Sequence, residues 1–236
     1  MQTNNIFHIF LMSSVGLVAT LAAQSATAVT VNPVKITEVN PGGSSTSSGY
    51  SADWFELTNT GSSTIDITGW KMDDNSFSYA NSVALLGVTS ILAGKSVIFL
   101  ESSAANFNTV STDFKSAWFG SHVPSSLVLG YYSGSGVGLS QSGDGVVVYN
   151  SSGTQIAKVI FGANNTQKTF DNTAGLDNTT INTLSAVGTN GAWTASNSIS
   201  EIGSPGGVAP VPVPAASWLL LSGLGALGVL GRRKPI

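Results

Sequence analysis

The chain has 236 residues and no cysteine. That excludes disulfides, thiol nucleophiles and thiolate metal sites. Charge is scarce: Asp, Glu, Lys and Arg make up 9% of the residues, against about 25% in ordinary globular proteins. Arginine is absent before Arg232, and between residues 29 and 208 twelve acids stand against six lysines. Nucleic-acid binding needs a basic surface to meet phosphate, so this balance argues against a DNA or RNA partner. Histidine is nearly as rare. Of the two, only His122 lies beyond the first 28 residues. The spacings HExxH, GxSxG and GxxxxGK[ST] do not occur, so no catalytic or phosphate-binding motif stands out, and neither a catalytic residue nor a cofactor is expected.

What is present is glycine, with 27 residues, together with abundant Ser, Thr and Asn and 42% hydrophobic residues. Turn formers mixed with β-branched residues favour an all-β protein working outside the cytoplasm. Apolar and polar residues alternate along much of the chain. Val34–Val39, Trp54–Thr58, Ile65–Ile67, Gly69–Met72, Ser96–Leu100, Val146–Tyr149 and Gln155–Phe161 read as strands, and Val128-Leu129 marks a further one. Turn signals separate them at Gly61-Ser62-Ser63, Asp73-Asp74-Asn75, Ala93-Gly94 and Asn150–Gly153. Seven or eight short strands at this spacing predict a β-sandwich. One helix of one or two turns is expected over Thr112–Trp118. Phe161–Ile202 reads as loop, with a strand near Ala192-Trp193-Thr194.

The two ends read as addresses. Residues 1–28 have the layout of a signal peptide: an apolar stretch from Ile6 to Ala23, then small residues at Ala26 and Ala28, with cleavage expected after Ala28. The first seven residues carry no Lys or Arg, which departs from the usual pattern. Near the other end, residues 209–214 form a proline-rich linker, each proline fixing φ and disfavouring helix before it. Ala215–Gly231 is a 17-residue uncharged run, about 26 Å as a helix and so at the short end of a membrane span. Residues 232–236 follow as a basic tail, with Arg232, Arg233 and Lys234 suited to the cytoplasmic side.

Val211-Pro212-Val213-Pro214, the apolar run and the Arg232-Arg233-Lys234 cluster together resemble the PEP-CTERM sorting signal of Gram-negative bacteria. That family carries Pro-Glu-Pro where this chain has Pro212-Val213-Pro214. The resemblance implies recognition by exosortase, a membrane transpeptidase-like enzyme. It implies passage through the inner membrane and delivery to the cell surface or an extracellular, exopolysaccharide-associated matrix. A signal whose tail is removed leaves no membrane helix in the mature protein.

Residues 29–208 carry a second resemblance. The segments ITEVNP, DWFELTNTGSSTIDITGWKMDD, LAGKSVIFL, FKSAWFG, LSQSGDGVVVYNSSGTQIAKVIFG and GSPGG are similar to the lamin-tail domain, an immunoglobulin-like β-sandwich. Glu38, Glu56, Asn59, Gly69 and Trp70 fall where that family's motif residues fall. The resemblance implies a structural or interaction unit without a catalytic residue set.

Four features leave room for chemistry. Asp73-Asp74-Asn75 and Asp144 offer oxygen ligands of the kind Ca²⁺ takes, and they are equally ordinary turn residues. Glu38 and Glu56 are expected on neighbouring strands, either as a paired-carboxylate site of glycosidase type or as acceptors for backbone and hydroxyl groups. Trp54 and Trp70 are expected in the core. Trp118, Tyr131 and Tyr132 are expected as exposed contacts for a sugar. The reading is therefore a non-catalytic surface or matrix protein. The alternatives are a carbohydrate-binding module, a membrane-anchored periplasmic domain and a secreted hydrolase.

Overall fold

The computed structural model of the chain describes residues 32–207, apart from 44, 46, 47 and 199. The signal-peptide segment, the proline-rich linker, the apolar run and the basic tail all lie outside the described residues. Among those described, no helix is long and apolar enough to cross a membrane.

The alternating segments become two packed sheets. The first contains β1 (Val34–Asn40), β2 (Trp54–Asn59), β7 (Ser96–Glu101), β8 (Leu129–Tyr132) and β11 (Phe170–Asp171), in the order β11-β1-β2-β7-β8. The second contains β4 (Lys71–Asp73), β5 (Val83–Ala84), β9 (Asp144–Tyr149), β10 (Gln155–Phe161) and β12 (Thr179–Ile181), in the order β12-β10-β9-β4-β5. Two small pairs complete the set, β3 (Ile65–Asp66) with β6 (Ser90–Ile91) and β13 (Trp193–Thr194) with β14 (Ile202–Gly203).

The strands expected from alternation are all present. The extra ones are pieces of two or three residues, too short to show a period of two. β11 to β13 and the start of β14 fall within 161–202, the stretch read from sequence as loop apart from one strand near Trp193. They form there because their partners lie far away in sequence: Phe170-Asp171 pairs with β1, and Thr179–Ile181 adds in parallel to β10.

Between the sheets lies the main core. Successive strand side chains point to opposite faces, so Phe55, Leu57, Val97 and Phe99 face inward from the first sheet. Met72, Val146, Val148, Val159 and Phe161 meet them from the second. Phe55 stacks on Phe99 with ring centroids 5.7 Å apart. Trp70 joins this core, as expected.

A second core covers the outer face of the first sheet. β7 and β8 run parallel, and parallel neighbours need a long crossover. Helix α1 (Phe107–Phe119) lies in that crossover. It is longer than the expected Thr112–Trp118. After Phe107 its first half is Asn, Thr, Val and Ser, which are indifferent helix formers, so only its tertiary setting reveals it. Phe107, Val110, Phe114, Ala117 and Trp118 fall on one side at helical spacing. They pack on Trp54, Ile98 and Leu100, the outward residues of β2 and β7. Trp54 and Trp118 meet edge to face at 5.9 Å. The helix stops at Gly120, whose positive φ of 56° suits a residue without a side chain.

Candidate functional site

β1 carries an irregularity between Ile36 and Glu38. An extra residue in one strand re-aims its neighbours. Ile36 and Val39 both stay in the core, while Thr37 and Glu38 both reach partners on the outer face. Glu38 stands directly opposite Glu56 of β2 in the register. The two carboxylates therefore sit side by side, buried beneath the residues after β14.

Each is surrounded by donors. Glu38 Oε1 accepts from Thr169 Oγ1 at 2.5 Å and from the Ser204 backbone N–H at 2.8 Å. Glu38 Oε2 accepts from Ser204 Oγ at 3.1 Å. Glu56 Oε1 accepts from Thr37 Oγ1 at 2.6 Å, and Glu56 Oε2 accepts from the Gly206 N–H at 2.6 Å. Hydroxyls continue the network from Thr37 to Thr58 and from Thr58 to Ser96. Ser96 Oγ then donates to the Gly207 carbonyl at 3.3 Å. Residues 204–207 thus form a strap across β1, β2 and β7, and the paired glutamates hold it.

The electrostatics arise from burial. Desolvation, with the Glu56 charge second, raises the Glu38 carboxyl from 4.5 to about 8. Desolvation also raises Glu56, to about 7, against the opposing pull of its hydrogen bonds. No lysine is among the hydrogen-bond partners of either group. A neutral or half-neutral pair of this kind has the proton affinity of an acid–base couple, but both acids are filled by the chain's own groups and neither is open to a substrate.

A second polar knot lies beside the helix. Tyr50 Oη accepts from Asn40 Nδ2, Trp54 Nε1 and Trp118 Nε1, and donates to Glu201 Oε1 at 2.6 Å. Burial, and then Glu201 itself, hold the Tyr50 hydroxyl well above its ordinary value. No local pattern marks Tyr50 or Glu201, because they come together across 151 positions.

The remaining motif residues also have structural duties. Asn59 Nδ2 donates to the carbonyls of Ser63 and Ile91, and its Oδ1 accepts from the Gly61 N–H. It ties the turn after β2 to β6. Gly69 turns the chain at φ 75°, in the left-handed region that suits glycine. Asp73 Oδ2 accepts from Ser76 Oγ and the Ser78 N–H, while Asp144 accepts from the N–H groups of Asn75, Ser140 and Gly145. Those carboxylates organise turns. Among the described residues no group of three or more His, Asp or Glu side chains is arranged to hold a metal ion.

The three expected sugar contacts do not come together, and two of them are corrected. Trp118 and Tyr132 have no exposed surface. Trp118 lies on the apolar side of α1 and fills the outer core; Tyr132 points inward from β8 against Phe55 at 5.6 Å. Alternation along β8 turns Tyr131 the other way, where it is half-buried against Phe107 at 4.6 Å.

Two face-packed sheets, with polar side chains turned to internal bonds, define a structural β-sandwich module. The lamin tail domain family matches residues 27–188, and the chain belongs to that family. Its domain is immunoglobulin-like and typically a non-catalytic structural unit. No curated protein and no solved structure matches the chain. The fold continues past the family match, since Trp193, Glu201, Ser204 and Gly206 complete the outer layer.

Proposed function

We propose that this chain is an exported, non-catalytic structural or interaction protein of the cell surface or extracellular matrix. Its sandwich would be delivered by an exosortase-type enzyme acting on the segment after the strap. One observation carries the non-catalytic reading. The paired glutamates, the best candidates for acid–base chemistry in the sequence, are engaged by Thr37, Thr169, Ser204 and Gly206 of the same domain. The delivery reading is supported by the order of proline motif, apolar run and basic cluster at 211–234. The exopolysaccharide matrix is the partner class that this kind of signal suggests.

The test is the intact mass of the protein isolated from its native host, with both termini mapped. Loss of the residues after about Pro214 supports sorting. Retention of residues 232–236 in all of the protein identifies a membrane anchor instead, and the matrix reading fails.

A further inference from the structure

A groove of about 260 Å³ opens beside the point where the strap ends. One wall is the turn between β6 and β7, with Ile91, Leu92, Lys95 and Val97; the other includes Ser125, Ser126 and Val128. Leu92 is 58% exposed and Val128 is 38% exposed. Large apolar side chains left open in one concave place mark a binding surface. Among the described residues the lining is aliphatic carbon, serine hydroxyl and the single lysine Lys95, with no aromatic ring, which disfavours a sugar, since sugars stack on rings.

The strap ends beside this groove. The Gly207 carbonyl is bonded by Ser96, a residue of the first wall. Gly206 packs so close to Leu127 that an added Cβ would come within 3.1 Å of Leu127 Cδ1. Leu127 directly precedes Val128 of the second wall. The last described residues therefore stand next to both walls.

We propose that the groove is the docking site of this chain's own next segment, Val208-Ala209-Pro210-Val211-Pro212-Val213. The chemistry matches. The segment has no charge and only small apolar side chains. Its prolines bring no N–H that an aliphatic wall would leave unpaired. Its carbonyls can accept from the groove's serine hydroxyls. Proline's fixed φ lowers the ordering cost of docking. Six residues in extended form reach about 19 Å, ample for a groove that lies beside residue 207. Docking holds Pro212 against the sandwich, so any enzyme that reads this motif competes with the groove. The inference does not depend on the fate of the residues after Pro214 and stands or falls apart from the sorting reading.

The absence of cysteine makes the test clean. The pairs Leu92→Cys with Val211→Cys, and Val128→Cys with Val211→Cys, are introduced into the full chain in detergent micelles. The control pair is Val187→Cys with Val211→Cys, because Val187 is 61% exposed and is not part of the groove lining. Oxidation is followed by non-reducing gel and peptide mass mapping. Both groove pairs are expected to close within one chain at least tenfold faster than the control. A Leu92→Glu change, placing a carboxylate in the aliphatic wall, is expected to slow closure of the Val128→Cys/Val211→Cys pair several-fold. Equal rates for groove and control pairs overturn the proposal. Cross-links formed between chains also overturn it, since they make a second copy the occupant. All the substituted groove positions are exposed, so loss of folding does not confuse the outcome.

Discussion

Replacing Glu38 by Gln tests the account of the strap directly. In the folded domain Glu38 holds its proton up to about pH 8, whereas the unfolded chain releases it near 4.5. The folded state therefore binds more protons than the unfolded state between those values. Stability from this group is fully present below about pH 4.5 and is lost as pH rises to about 8. One pH unit of such a difference is worth about 1.4 kcal/mol. Glu38 then weakens the domain by about 3 kcal/mol between pH 5 and pH 8, a large share of a typical total of about 5–15 kcal/mol. Glutamine keeps the shape and an acceptor for Thr169 and the Ser204 N–H, and its amide can donate to Ser204 Oγ. The variant should match the parent within about 1 kcal/mol at pH 5. At pH 8 it should be the more stable of the two by about 2–3 kcal/mol. The slope that remains comes from Glu56, Glu101, Asp144 and Glu201, whose acids are also raised by burial. Urea unfolding of the intact chain in mild detergent, read by tryptophan fluorescence at the two pH values, gives both numbers. Parallel pH profiles for parent and variant, or a parent that gains stability from pH 5 to pH 8, refute the reasoning.

Two further changes probe the outer layer. Tyr50→Phe removes the hydroxyl shared by Asn40, Trp54, Trp118 and Glu201, and should lower stability by about 2–4 kcal/mol; a urea midpoint within error of the parent shows that the knot contributes nothing. Gly203→Ala should cost about 1–3 kcal/mol, because its Cβ would lie 2.6 Å from Glu38 Oε1 and 2.9 Å from Trp118 Cη2. Gly162→Ala, with nothing within 4 Å of its Cβ, should stay within about 0.5 kcal/mol of the parent in the same melts.

The inner sandwich was legible because its signal is local. Phe55, Leu57, Val97 and Phe99 alternate with outward residues, and alternation is visible in one sequence. The outer layer was not, because alternation predicts which residues point outward but not what covers them. Trp54 and Trp118 read as one core residue and one exposed contact, yet they pack on each other. Helix α1 hid behind Asn, Thr and Ser. Glu38 and Glu56 were placed on adjacent strands with hydroxyl or backbone partners as one of two readings, and the structure supplies those partners. Their depth depends on Ser204 and Gly206, 166 and 150 positions away. No local pattern carries a contact of that span.

The strap also decides how the domain meets a mechanical load. If the protein is held by the chain beyond residue 207, tension enters at Gly207 and reaches four hydrogen bonds: Ser96 to Gly207, Gly206 to Glu56, and two from Ser204 to Glu38. Those bonds end on β7, β2 and β1, the three inner strands of the five-stranded sheet. A pull is thereby divided among strands paired on both sides, instead of unzipping one edge strand bond by bond. Resistance to force is a matter of unfolding rate, and the buried acids beneath the strap lower the domain's stability as pH rises, because burial disfavours their charge. A tethered domain of this design has the most stability to draw on in mildly acidic surroundings and the least in alkaline ones.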